Sequence, residues 1–169
     1  MNEPNKKVKI MEYKIDRWTK LLHYVAWIIL LSGIFYGLIV PYFIPELLDI
    51  YLNEFNSDIL LNSISNGPKT LIYFLFGVMG AIMFGWGILM VFVTKQLYIK
   101  DESWIRKAIV ISTFGWFIFD SLFSIIIGTV INIFFNLVFL ALLLFPIIGY
   151  YYSSWKSVET LKSLSMEGF

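Results

Sequence analysis

The chain has 169 residues and a net charge of +1; 59% of its residues are hydrophobic, 19% aromatic and 15% charged. Ordinary globular domains are about 45–50% apolar and about 25% charged, so a soluble domain of this composition would expose more apolar surface than water tolerates. The near-neutral balance excludes a bulk electrostatic attraction to nucleic acid. The absence of cysteine excludes disulfides, thiolate metal sites, thiol redox chemistry and S-palmitoylation.

The first 20 residues are polar and lack an apolar run ending in a small-residue cleavage site, so no cleavable signal peptide is expected. The first apolar segment, 21–40, is expected to serve as an uncleaved insertion signal. It has the length of a transmembrane helix, about 20 residues, and is expected to stop at Pro41 and Pro45. His23, the chain's one histidine, lies near its start and is read as an interfacial side chain. Gly33 and Gly37 form a GxxxG pair. Such spacing lets helix backbones approach closely where lipid gives helices little hydrophobic reason to associate.

The loop 41–68 is the longest on its side. Leu48, Leu52, Phe55 and Ile59 recur in it at helical spacing, with Asp49, Asn53, Asn56 and Ser57 opposite. This pattern predicts a short amphipathic helix on the interface or over the mouth of the bundle. The second span, 70–94, opens after Gly67-Pro68. Gly77, Ala81 and Gly85 make a small-residue stripe at four-residue spacing, and Gly80 and Gly87 make a second. Either stripe suits packing within the bundle or dimerisation.

A polar link precedes the third span, 105–128. Asp120 lies inside that span and is the sole charged residue among the 48 from Ala108 to Trp155. A carboxylate in hydrocarbon is costly and marks a functional or partnered position. Thr113, Trp116, Ser124 and Gly128 share its helical face. A turn at 128–132 leads to the fourth span, 132–152, which must run antiparallel beside the third. Pairing about Val130 sets Ser124 level with Asn136, with Asn132 at the mouth. From rise per residue, about 1.5 Å, Asp120 is expected beside Ser32 and Gly33 of the first span and Gly80 of the second. Two states are open to it: a protonated carboxyl clasping the helices, or an ionised carboxylate in a wet cavity holding a cation. The tail 153–169 carries a weak helical pattern.

Charge fixes the expected orientation. Twelve of the thirteen basic residues fall before the first span, between the second and third, or after the fourth; Lys69 is the exception. The positive-inside rule puts that side, with both termini, in the cytoplasm. Trp18, Trp27, Trp104, Tyr150, Tyr151, Tyr152 and Trp155 flank the same ends as an aromatic belt.

No HExxH, GxSxG, phosphate loop or paired intramembrane aspartates occur in the chain, so no metal or cofactor is expected, and a membrane enzyme acting on lipid ranks last among the readings because no acid–base pair is visible. The segments Gly85-Trp86-Gly87, Trp104-Ile105-Arg106 and Gly115-Trp116-Phe117-Ile118-Phe119-Asp120-Ser121, with Asn132, Asn136 and Phe145-Pro146, resemble a group of small bacterial four-span inner-membrane proteins of unassigned function. The resemblance covers 77–146 and implies a bacterial inner membrane; it brings no activity with it. The whole chain is thus expected to form one all-α membrane domain, an up-down-up-down four-helix bundle in the lipid bilayer. Asp120, Ser124, Asn132 and Asn136 form its polar stripe, and Gly33, Gly37, Gly77, Ala81 and Gly85 its packing glycine and alanine positions. That stripe would join helices or bind a protein partner. The alternative is a proton or cation transporter or channel component, which with four short spans requires a homo-oligomer.

Overall fold

The computed structural model describes the backbone of residues 3–55, 60–100 and 102–166, and side chains over 17–54, 60–100 and 102–156 with 158, 159 and 163. Asn56, Ser57 and Ile59 of the expected amphipathic helix, and the side chain of Phe55, lie outside this set. The described chain is all-α, and four helices are long and apolar enough to cross a membrane: Arg17–Phe43, Asn66–Lys100, Ser103–Ile127 and Val130–Lys156. It is a multi-pass membrane protein.

Helix α1 (Glu3–Ile34) runs into a π-helical turn (Phe35–Ile39) and then α2 (Val40–Phe43). The first span therefore runs past Pro41, the first of the two expected stops, and ends at Phe43, just before Pro45. A proline within a helix lacks the donor N–H and crowds the carbonyl four residues back. The widened turn just before Pro41, with Val40 N–H bonded to the Phe35 carbonyl, lets the helix continue past that conflict.

Helix α3 (Glu46–Phe55) lies over the far end of the bundle, followed by a 3₁₀ turn (Leu61–Ser63). Its apolar face is as read from sequence: Leu48 is buried with Val40 and Leu61, and Leu52 packs against that cluster. Two of its carboxylates fasten it. Asp49 Oδ1 accepts from Leu61 N–H at 2.6 Å, and Glu54 Oε1 accepts from Ile131 N–H at 2.7 Å. The second bond places a carboxylate on the free donors and positive dipole end of another helix, where anions are stabilised.

Helices α4 (Asn66–Lys100), α5 (Ser103–Ile127) and α6 (Val130–Met166) complete the chain. α1 packs against α4 on one side and α6 on the other, and α5 leans on α6. α4 and α5 are sequence neighbours but touch sparingly, so the bundle is open between them.

The α1–α4 seam explains part of the glycine content. A Cβ at Gly80 would stand 2.3 Å from Gly37 Cα, and one at Gly33 would stand 2.4 Å from Phe84 N. Gly87 faces Leu30 in the same way. The packing stripe is thus Gly33–Gly37 against Gly80–Gly87. Of the other positions expected on the packing face, a Cβ added at Gly77 or Gly85 would meet nothing within 4 Å, although the Gly77 carbonyl oxygen lies 3.6 Å from a Cβ built on Gly37, and Ala81 is exposed. At the α1–α6 seam, Trp18 lies across Gly149, donates to Ser153 Oγ at 2.9 Å and meets Phe145 edge-on. Trp18 is therefore a packing residue and not a member of a lipid-facing belt. Arg106, buried in the first turn of α5, stacks 3.8 Å from the Tyr150 ring centroid.

Candidate functional site: a carboxylate on a lateral groove

The turn between α5 and α6 sets the register of the site. Gly128 adopts φ 88°, and both its N–H and that of Thr129 bond to the Ser124 carbonyl at 2.9 Å. This left-handed C-terminal cap, favourable for glycine, reverses the chain within two residues. Helix α6 then begins at Val130. The pairing centre is consequently nearer Gly128 than Val130, and the partners differ by one turn from those expected. Asn132, not Asn136, is level with Ser124, and Asn136 is level with Asp120.

Asp120, Ser121, Ser124, Asn132 and Asn136 form one hydrogen-bonded cluster. Asn132 Nδ2 donates to Asp120 Oδ2 at 2.8 Å and to Ser124 Oγ at 2.7 Å. Asn136 Nδ2 donates to Asp120 Oδ2 at 2.6 Å and to Ser121 Oγ at 3.2 Å. Ser124 Oγ donates to the Asp120 carbonyl at 2.7 Å. Sequence reasoning missed Ser121; its position one residue beyond Asp120 placed it on an adjacent face. Thr113, assigned to the Asp120 face, is fully buried and does not line the groove described below.

Ser32, Gly33 and Gly80, expected at the level of Asp120, do not line its surroundings. α5 packs chiefly on α6, and Gly33 and Gly80 belong to the α1–α4 seam. Asp120 instead lines a groove of about 670 Å³ between α4, α5 and α6. Met79, Ile82, Met83 and Trp86 supply one wall, and Phe135 and Phe139 the opposite one. Trp86 and Trp116 meet across the α4–α5 gap with ring centroids 6.0 Å apart.

The end of the groove beneath α3 is closed by Tyr51, which stacks on Phe135 at 6.3 Å and packs edge-on against Phe76. Its hydroxyl also bonds to Tyr36. Burial first, then Tyr36 and Glu54 nearby, raise the Tyr51 hydroxyl above the ordinary tyrosine range, so it stays protonated.

Two amide donors converge on Oδ2, while no hydrogen bond engages Oδ1 among the described residues. The carboxylate thus has one oxygen that ties α5 to α6 and one that is uncommitted on a groove wall. Groove size falls within the roughly 300–1,000 Å³ of small-molecule sites. Aromatic faces attract cations, and methionines adapt to varied shapes.

No known protein family, curated protein or solved structure matches this chain.

His23 is remote from this cluster. Its Nδ1 is 2.9 Å from Thr94 Oγ1, and Trp27 Nε1 donates to its Nε2 at 3.2 Å. Among the described residues, no group of three His, Cys, Asp or Glu is arranged to hold a metal ion.

Proposed function

We propose that this chain is a non-catalytic binding protein of a bacterial inner membrane, with both termini in the cytoplasm. Its ligand is a lipophilic molecule carrying a cationic or hydrogen-bond-donating group. Asn132 and Asn136 hold Asp120 by Oδ2 and leave Oδ1 to the groove, and that arrangement carries the reading. The apolar body of such a ligand would lie along Met79, Met83 and Phe139, entering sideways between α4 and α5. The basic side of the chain supports the orientation. Transport of a proton or cation by a homo-oligomer would use the same oxygen. It also needs a path past the Tyr51–Phe135 closure, so binding is the better-supported reading.

The test is calorimetric titration of the chain in lipid nanodiscs with a quaternary alkylammonium and with its uncharged carbon isostere. The wild type is expected to prefer the cation by about tenfold, a modest sum of ion pairing and ring contacts. Asp120→Asn is expected to remove the preference and keep the affinity for the isostere. Equal affinities of the wild type for both compounds would overturn the reading.

A further inference from the structure

Two tryptophans border the Asp120 groove and bring it donors that the carboxylate does not use. Trp86 on α4 and Trp116 on α5 both line it, half-buried, with ring centroids 6.0 Å apart across the α4–α5 gap. Trp116 precedes Asp120 by one helical turn, about 6 Å along the axis. An indole N–H is a donor without acceptor capacity of its own, so ring contact leaves it unsatisfied. Tryptophans removed from water usually find a partner for it.

Other tryptophans of this chain follow that rule. Trp18 donates to Ser153, Trp27 to His23 and Trp104 to Glu102. Trp155 stands at the end of the fourth span, Val130–Lys156, within reach of headgroups and water. Trp86 and Trp116 differ in both respects. They lie near the middles of the spans Asn66–Lys100 and Ser103–Ile127, and no hydrogen bond engages either indole N–H among the described residues. The donors on Asp120 Oδ2 are Asn132 and Asn136, not an indole. The hydrocarbon core is about 30 Å thick, so headgroup oxygens are roughly 15 Å away. Water is absent at that depth, and an unpaired donor there is costly.

We propose that Trp86 and Trp116 are specificity residues of this groove, and that their indole N–H groups bind a carbonyl oxygen of the ligand. Asp120 Oδ1 takes the ligand's cationic or donor group, and the carbonyl sits about one helical turn away. The ligand class is then a lipophilic amine whose nitrogen is separated by a short spacer from an amide or ester carbonyl. A plain alkylammonium satisfies the carboxylate and leaves both indoles unpaired. The proposal rests on the groove being a ligand site, as proposed above, but not on the ligand's charge.

Two uncharged probes test it on the full chain in nanodiscs: an N-propyl fatty amide and its trans-alkene isostere, which keeps the shape and lacks the carbonyl. Calorimetric titration of the wild type is expected to favour the amide about fivefold, the scale of one net hydrogen bond. Nuclear magnetic resonance of the indole N–H groups should show the Trp86 and Trp116 signals moving downfield as the amide saturates, and not with the alkene. Trp86→Phe with Trp116→Phe keeps an aromatic ring at both positions and removes both donors; it should bind the two probes equally. Asp120→Asn should keep the amide preference, because neither probe is charged. Failure of the cation preference alone would therefore strike the carboxylate reading and leave this result standing. Equal binding of the two probes by the wild type, indole signals that do not respond to the amide, or a preference that survives in the phenylalanine double variant would each overturn the proposal.

Discussion

Gly80→Leu is expected to disrupt the bundle, lowering stability by at least about 3 kcal/mol, the upper end of the overpacking range. The first side-chain carbon alone would lie 2.3 Å from Gly37 Cα, 2.4 Å from Gly37 N and 2.6 Å from the Gly33 carbonyl oxygen. These are backbone atoms, so no rotamer change relieves the contact; α1 and α4 must separate. Separation removes close backbone packing, which is what holds helices together in lipid. Gly85→Ala supplies the contrast, because its Cβ meets nothing within 4 Å. Alanine favours helix over glycine by up to about 1 kcal/mol, so that variant should match or exceed the wild type. Thermal unfolding in mild detergent, followed by circular dichroism, reads both. An unchanged midpoint for Gly80→Leu would contradict the seam described above.

Asp120→Leu is expected to cost about 2 kcal/mol and to loosen α5 from α6. An interhelical hydrogen bond in a membrane protein averages only about 0.6 kcal/mol. Here two donors lose one acceptor together, and leaving polar groups unpaired in an apolar setting costs more than the mean bond contributes. Asn132 retains Ser124 Oγ, and Asn136 retains Ser121 Oγ at 3.2 Å, which limits the loss. Asp120→Asn keeps an acceptor oxygen and should unfold within a few degrees of the wild type. The same detergent melts distinguish them. Equal midpoints for Asp120→Leu and the wild type would rule out the clasp.

The span count and the all-helical architecture were legible because continuous apolar runs of membrane length have few structural solutions. Asp120 was conspicuous for a related reason: one acid in 48 residues otherwise free of charge stands out against hydrocarbon. Its partners were legible in kind but not in register. A two-residue reversal at Gly128 shifted the pairing by a turn, and nothing in a glycine fixes in advance where its left-handed cap will fall. The α5–α6 pairing and the idea of a cavity at Asp120 were legible from the short turn, but the groove's lining was not. It depends on α4 packing on α1 and touching α5 sparingly, a matter of packing between distant segments that helical periodicity does not encode. Hence large side chains, Met79 and Met83, replaced the small neighbours expected around the carboxylate. Ala81 and Gly85 show the same limit. Two small-residue stripes ran along one helix, and spacing alone could not say which faced α1. Pro41 misled because a proline ends a helix only where the preceding turn cannot widen.

Nuclear magnetic resonance of the Asn132 and Asn136 side-chain amides, in nanodiscs, examines the polar cluster most directly. Both amide pairs should shift together when Asp120 is changed to leucine, because both donate to one oxygen. Both should also respond when a quaternary alkylammonium is added to the wild type, and neither should respond to its uncharged isostere. Amide signals indifferent to Asp120→Leu, or to the added cation, would contradict a carboxylate held by one oxygen and offering the other.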